Sequence, residues 1–325
     1  MIRALALTGP TASGKTALSL ALAERLSCEI ISSDSMQIYR YMDIGTAKAT
    51  PEERSRVPHH VIDMLEPSVR YSTEDYRRDA LAAARDIVDR GRLPLFVGGT
   101  GLYIDTLRRA EPVGSPPSDE ALRERLMNEG RDDEGKQRLW QRLYEVDPAS
   151  AEKTHKNNLR RVVRALEIYE LSGRTKSYFD ALSKDLVPDI AIDMITLDFH
   201  NRDNLYERVD KRVDIMMSEG LLDEVRGLHS RGLLMPEYTS YQAIGYKELR
   251  EYLEGECDLA SAIENIKLSS RRYAKRQLTW FRHTDAVHLF VDTEDGRMKG
   301  ADELLSECVE IAEGLALRMN GDSDV

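Results

Sequence analysis

Residues Gly9-Pro10-Thr11-Ala12-Ser13-Gly14-Lys15-Thr16 match the pattern G-x-x-x-x-G-K-[ST] in full. An apolar run, Ile2 to Thr8, precedes the octet. An Ala- and Leu-rich stretch, Thr16 to Leu26, follows it and reads as a helix. Strand, glycine-rich loop and helix in that order form a phosphate cradle. The glycines let the loop curl with its backbone N–H groups inward. Lys15 adds a mobile positive charge, and the helix N-terminus adds its dipole. The Thr16 hydroxyl is placed to hold Mg²⁺. Such a loop identifies a polyphosphate and not a reaction. ATP or GTP is the usual ligand, but no plain apolar strand ending in Asp marks a motor ATPase.

Alternation continues after the loop. Glu29 to Ser32 reads as a second strand, His60 to Met64 as a third, Thr73 to Arg90 as a helix and Leu93 to Val97 as a buried strand. This predicts an α/β fold: a P-loop NTPase-like parallel sheet flanked by helices. Pro112, Gly114, Ser115, Pro116 and Pro117 form a breaker cluster, the expected exit into an inserted all-helical domain. The boundaries expected are 1–110 plus 190–325 for the core and 111–189 for the insertion. Within the insertion, helices are expected at Asp119 to Glu129, Lys136 to Glu145 and Asn158 to Leu171. Asp189 to Phe199 reads as a strand returning to the sheet. The remainder reads as helical, at Asn204 to Ser230, Tyr241 to Leu253 and Ala260 to His283, with a frayed end from Asn320.

No run of about 18 apolar residues occurs, so no membrane span is expected, and the N-terminal run is too short for a signal peptide. Cys28, Cys257 and Cys308 form no pair by spacing, which suits a reducing cytoplasm. His59-His60 suit a structural corner better than a metal site. No feature calls for an oligomer, and a monomer is expected.

Asp34 follows the second strand, so it lies at the sheet edge where ligands bind in open α/β folds. A general base, a magnesium ligand and a cap with Ser35 all remain open for it. Val97-Gly98-Gly99-Thr100 ends the later strand in the same way, as a close backbone approach or an ordinary turn.

Together these segments resemble the tRNA dimethylallyltransferase family. The matching stretches are Gly9 to Thr16, Asp34 to Lys48 (DSMQIYRYMDIGTAK), Pro58 to Asp63 (PHHVID), Val97 to Tyr103 (VGGTGLY), Arg164 to Tyr169, Ala243 to Lys247 and Ala274 to Arg282 (AKRQLTWFR). They cover nearly the whole chain in order. The resemblance implies that the loop, Gly9, Pro10, Thr11, Ala12, Ser13, Gly14, Lys15 and Thr16, holds the diphosphate of dimethylallyl diphosphate as a leaving group. Mg²⁺ on Thr16 is the implied cofactor. Adenine N6 of tRNA would attack the allylic carbon, with Asp34 as general base. Thr100 would touch the nucleotide or the magnesium–diphosphate group, and Arg208 would lie near the diphosphate. Asp34, Ser35, Met36 and Gln37 would line the adenosine pocket. Arg212, four residues beyond Arg208, shares its helix face; a solvated face is the alternative for both.

The formal charge of −11 does not exclude an RNA partner if basic residues are local. Arg160, Arg161 and Arg164, with the intervening Val162 and Val163, form one candidate tRNA-binding stretch in the insertion. A second runs from Lys267 to Arg282 and includes Lys275 and Arg276, with no acid inside it. Either run is a solvated face if RNA does not use it. Trp280 is expected in the core. Two departures from the family pattern stand out: Lys156-Asn157-Asn158-Leu159 replaces Pro-Asn-Asp-Pro, and Arg272-Tyr273 replaces Gln-Leu. The absence of a zinc-finger extension suits a bacterial or organellar member. The competing functions are a small-molecule kinase, an AMP or ADP prenyltransferase, and an RNA-binding protein with a relic loop.

Overall fold

The computed structural model describes residues 1–109, 117–182 and 187–321, with side chains through 315. Two compact units emerge: Met1–Arg108 with Ile190–Val325, and Arg109–Asp189. Of the breaker cluster, only Pro117 lies within the described residues. The chain end expected to fray is helical as far as Gly321, and residues 322–325 lie outside them.

The first unit is built on six strands: β1 (Ile2–Thr8), β2 (Cys28–Ser32), β3 (His59–His60), β4 (Leu93–Gly98), β5 (Ile190–Asp198) and β6 (Val287–Phe290). They pair in the order β3-β2-β4-β1-β5-β6, every pair parallel. Side chains alternate between the two faces. Ala4, Ala6, Ile31 and Phe96 enter one core, and Leu5, Leu7, Ile30 and Leu95 the other. The helices are α1 (Lys15–Leu26), α2 (Pro51–Arg56), α3 (Thr73–Asp89) and α4 (Gly101–Arg108). A capping box fixes the start of α3: Asp75 N–H donates to Ser72 Oγ and Ser72 N–H to Asp75 Oδ2, both at 3.1 Å.

The second unit holds α5 (Glu120–Glu129), α6 (Asp133–Val146), α7 (Pro148–Glu152), α8 (Leu159–Ser172) and α9 (Lys176–Leu182). Its core includes Leu126, Leu139, Leu143, Val162, Val163 and Leu166. The first unit then continues with α10 (Arg202–Ser218), α11 (Leu221–Ser230), α12 (Tyr246–Leu253), α13 (Leu259–Arg282) and α14 (Ala301–Gly321). No helix among the described residues is long and apolar enough to cross a membrane.

Three expectations need correction. The third strand is only His59–His60, because Val61 and Asp63 take left-handed backbone and turn the chain away. The C-terminal remainder is not all helical: Val287–Phe290 adds β6 beside β5. The two long helices expected there break or shorten at Gly220 and Gly245, whose φ values of 102° and 98° suit glycine.

Candidate active site

The loops after β1, β2 and β4 open on the same edge of neighbouring strands, and α10 and α13 cover them. A cavity of about 770 Å³ lies there, formed entirely by the first unit. Thr11 through Thr16 line it, with Asp34 through Gln37, Arg208, Arg212, Tyr273 and Gln277. Thus Lys15, Thr16, Asp34 and Arg208 meet at one place, although 174 residues separate Asp34 from Arg208 in sequence. Arg212, one helical turn after Arg208, faces the same cavity.

The loop Gly9 to Thr16 is held in shape by the protein's own groups. Lys15 Nζ donates to the Gly9 and Pro10 carbonyls at 2.9 and 2.6 Å. Ala12 sits at φ 63°, an uncommon conformation for a residue with a side chain. Arg208 Nε donates to its carbonyl at 2.7 Å, which helps to hold that conformation. The Ser13 hydroxyl is buried in the loop without a hydrogen-bond partner, a donor suited to a phosphate oxygen.

Lys15, Arg208 and Arg212 close no ion pair among the described residues. Burial and then Arg212 bring the Lys15 pKa down to about 7, with Asp34 opposing. Burial lowers Arg208, and lowers Arg212 against the pull of Asp34. Such a site favours an incoming polyanion, which in turn favours the charged forms.

Asp34 Oδ1 accepts the Met36 N–H at 2.9 Å, which caps the turn that follows. The other carboxylate oxygen has no hydrogen bond among the described residues. The cap therefore engages only one of the two carboxylate oxygens. Thr100 Oγ1 accepts the Ser35 N–H at 3.1 Å, and Thr100 N–H donates to the Ser33 carbonyl at 3.1 Å. Thr100 thus locks the β4 turn to the segment that carries Asp34. Tyr273 borders the cavity too. Burial, then the Asp34 carboxylate, pushes its phenol up to about 12, so it stays a neutral donor.

Gln277 joins two of these loops and was not singled out by sequence. Its Oε1 accepts Thr11 N–H, and its Nε2 donates to the Gly99 carbonyl, each at 2.9 Å. A Cβ on Gly99 would lie 2.1 Å from Gln277 Nε2, so this close approach needs glycine. The available signal was a polar residue in the buried stripe of Ala274, Leu278 and Phe281.

The basic runs divide by partner. On α13, Lys267 pairs with Asp214 and Arg271 with Asp210, two α10 acids that no scan of the run itself could reveal. Arg282 pairs with the buried Asp198. Arg272, Lys275 and Arg276 have no ion pair among the described residues; they border an open groove with Trp280. Trp280 is not a core residue: it is 36% exposed and packs over Gly101. On α8, Arg160 and Arg161 are exposed, but Arg164 bonds the buried Glu167 at 2.9 Å and the Pro117 carbonyl at 2.9 Å. Val162 and Val163 are buried in the second unit's core, which corrects their expected place in an RNA-binding stretch. The residues Lys156 to Asn158 form the turn before α8, and the Asn158 side chain makes no cap bond.

The sequence matches the model for IPP transferases over residues 37–284, and that for isopentenyl transferases over residues 2–63. It is 49% identical to a tRNA dimethylallyltransferase of Bacillus velezensis over 278 residues, 85% of this chain and 87% of that one. With the tRNA dimethylallyltransferase of Geobacillus kaustophilus, identity is 45% over 304 residues, 93% and 95% of the two chains. Among solved structures, the full-length tRNA isopentenylpyrophosphate transferase of Bacillus halodurans superposes with a TM-score of 0.70 at 42% identity, covering 97% of this chain and 96% of that one. A eukaryotic dimethylallyltransferase captured acting on tRNA gives a TM-score of 0.75 at 31% identity, over 89% and 74% of the chains. The match over most of the sequence, and over a fold that brings Lys15, Thr16, Asp34 and Arg208 into one cavity, places this chain in the IPP transferase family.

Proposed function

We propose that this chain transfers a dimethylallyl group from dimethylallyl diphosphate to N6 of the adenosine next to the anticodon of tRNA, releasing diphosphate. One observation carries the reading. A single cavity joins cations without ion pairs, Lys15, Arg208 and Arg212, to one carboxylate, Asp34, and to apolar side chains including Met216, Leu221, Ile244 and Ile266. The cations suit a leaving group whose charge grows in the transition state. The apolar wall suits a prenyl chain and keeps water from an allylic cation-like centre.

The reaction balances within these groups. The N6 lone pair forms the bond to the allylic carbon. The carbon–oxygen bond to diphosphate breaks, and its electron pair leaves with the oxygen. The N6 proton passes to the Asp34 carboxylate, which offsets the weak nucleophilicity of an amine whose lone pair is delocalised. Lys15, the Ser13 hydroxyl, the loop N–H groups and Arg208 receive the diphosphate. Thr100 holds the Asp34 segment in register, and the adenosine leaves its stack to enter.

The residues also fit magnesium. The Thr16 hydroxyl lies at the first turn of α1 facing the cavity. No cluster of three or more His, Cys, Asp or Glu side chains among the described residues is arranged to hold a metal. That donor set suits an ion held mainly by diphosphate oxygens and water. When bound, Mg²⁺ would supply positive charge to the diphosphate.

Arg160 and Arg161 on α8, and Arg272, Lys275 and Arg276 beside Trp280 on α13, are the cations we assign to RNA. Unpaired cations with a half-exposed aromatic suit phosphates and unstacked bases. Three unpaired cysteines support a reducing cytoplasm.

Unmodified tRNA incubated with the protein, Mg²⁺ and dimethylallyl diphosphate, then digested to nucleosides and weighed, should yield N6-dimethylallyladenosine from the position beside the anticodon. Prenylated AMP with unmodified tRNA would overturn the reading.

A further inference from the structure

Glu224, near the start of α11, is outside the phosphate site yet fastens one of the cavity's walls. Its Oε2 accepts the Asp43 and Ile44 N–H groups at 2.9 and 2.8 Å. Its Oε1 accepts the Gly45 N–H at 3.2 Å and the Tyr246 hydroxyl at 2.6 Å. Three consecutive N–H groups converging on one carboxylate form an anion nest, filled here by the protein's own side chain. Tyr246 is fully buried, and its ring lies so close that a Cβ on Gly45 would meet it at 2.4 Å.

The turn is tied internally as well. Ala47 N–H donates to the Ile44 carbonyl at 3.0 Å, Lys48 N–H to the Asp43 carbonyl at 2.9 Å, and Thr46 Oγ1 to the Met42 carbonyl at 2.7 Å. Its other end points its carbonyls at Gln37. Gln37 Nε2 donates to the Thr46 and Ala47 carbonyls at 3.2 and 3.3 Å, and Ser32 Oγ donates to Gln37 Oε1 at 3.0 Å. A flipped Gln37 amide would face two carbonyls with its own oxygen. The turn therefore fixes which end of the amide is where. Gly45, Thr46, Ala47 and Gln37 all border the cavity.

We propose that Glu224 is a positioning residue for the acceptor nucleoside, acting through turn 43–47 to hold Gln37 and its wall beside Asp34. The proposal rests on the reading that adenosine enters along Asp34 to Gln37. Glu224 makes no hydrogen bond to the phosphate loop, Arg208 or Arg212, so donor binding should not depend on it.

The test compares wild type with Glu224→Ala, Glu224→Gln and Tyr246→Phe. Glu224→Ala should raise KM for tRNA about tenfold or more, with a smaller change in kcat, and leave dimethylallyl diphosphate affinity within about twofold. Amide hydrogen exchange across residues 42–48 should accelerate about tenfold or more while α1 stays as protected as in wild type. Glu224→Gln retains a carbonyl acceptor and should recover most of the KM. Tyr246→Phe removes one of four bonds and should shift KM in the same direction by less. Unchanged KM and exchange in Glu224→Ala would overturn the proposal, as would an equal loss of donor affinity. If wild type itself left tRNA unmodified, the functional reading would fail, and the exchange arm would still decide whether Glu224 holds the turn.

Discussion

Two clusters, one in each unit, use their cations in opposite ways. In the sheet unit, Lys15 and Arg208 bond backbone carbonyls of the phosphate loop, and Arg212 faces the same cavity. In the helical unit, Arg164 and Arg123 close on Glu167, a carboxylate with no exposed surface. Burial pushes Glu167 up, but Arg164, the Asp119 N–H and Arg123 outweigh it and keep the carboxyl below its usual range. A cation held by carbonyls keeps its charge available to a ligand; a cation held by a buried carboxylate is spent on the fold. The same division runs along α13, where Arg271 is spent on Asp210 and Arg276 is not.

The sharpest way to break this comparison is at Asp34, the cavity carboxylate that closes no ion pair among the described residues. Asp34→Asn keeps the shape and the cap to Met36. It should lower kcat about 10²–10⁴-fold with donor and tRNA affinity almost unchanged. Wild-type turnover would remove Asp34 from the chemistry. Arg164→Ala tests the spent cation. It should destabilise the helical unit by about 2–3 kcal/mol, since Arg123 remains to Glu167, seen as a lower denaturation midpoint. Donor affinity should hold, and unchanged stability would mean that the Arg164–Glu167 pair does not hold the unit together.

Lys15 offers a smaller effect, read by pH. Its pKa near 7 means that raising pH from 7 to 9 should weaken donor binding progressively, by up to about tenfold per unit if one proton is taken up. Diphosphate itself is largely ionised over that range, so flat affinity would show that Lys15 stays charged. The smallest effect belongs to Arg160 and Arg161. Replacing both by Ala should flatten the slope of log tRNA affinity against log salt by about one to two units. Parallel lines would leave α13 as the remaining basic surface for RNA.

What the sequence made legible was local. The phosphate loop, Asp34 and Thr100 each follow a strand, and a parallel sheet carries strand ends to one edge, so their convergence follows from alternation. Arg212 was legible as the residue one turn beyond Arg208. Partners across the fold were not legible. Arg164 reads as one of three basic residues until Glu167 is seen to be buried, and Lys267 and Arg271 read as free until α10 supplies Asp214 and Asp210. The short β6 was hidden because Val287–Phe290 lacks length and a clear period. Gln277 and Glu224 were hidden because their work is to join loops from distant helices.

The central proposal is that the phosphate loop holds a leaving group and transfers no phosphoryl group. Dimethylallyl diphosphate labelled with carbon in the prenyl chain and phosphorus in the diphosphate, incubated with Mg²⁺ and unmodified tRNA, tests this in one reaction. Carbon label should enter the RNA with one free diphosphate per prenyl group transferred, and ATP added to the mixture should yield no ADP. Phosphorus label entering any product other than free diphosphate, or ADP formed in step with product, would contradict it.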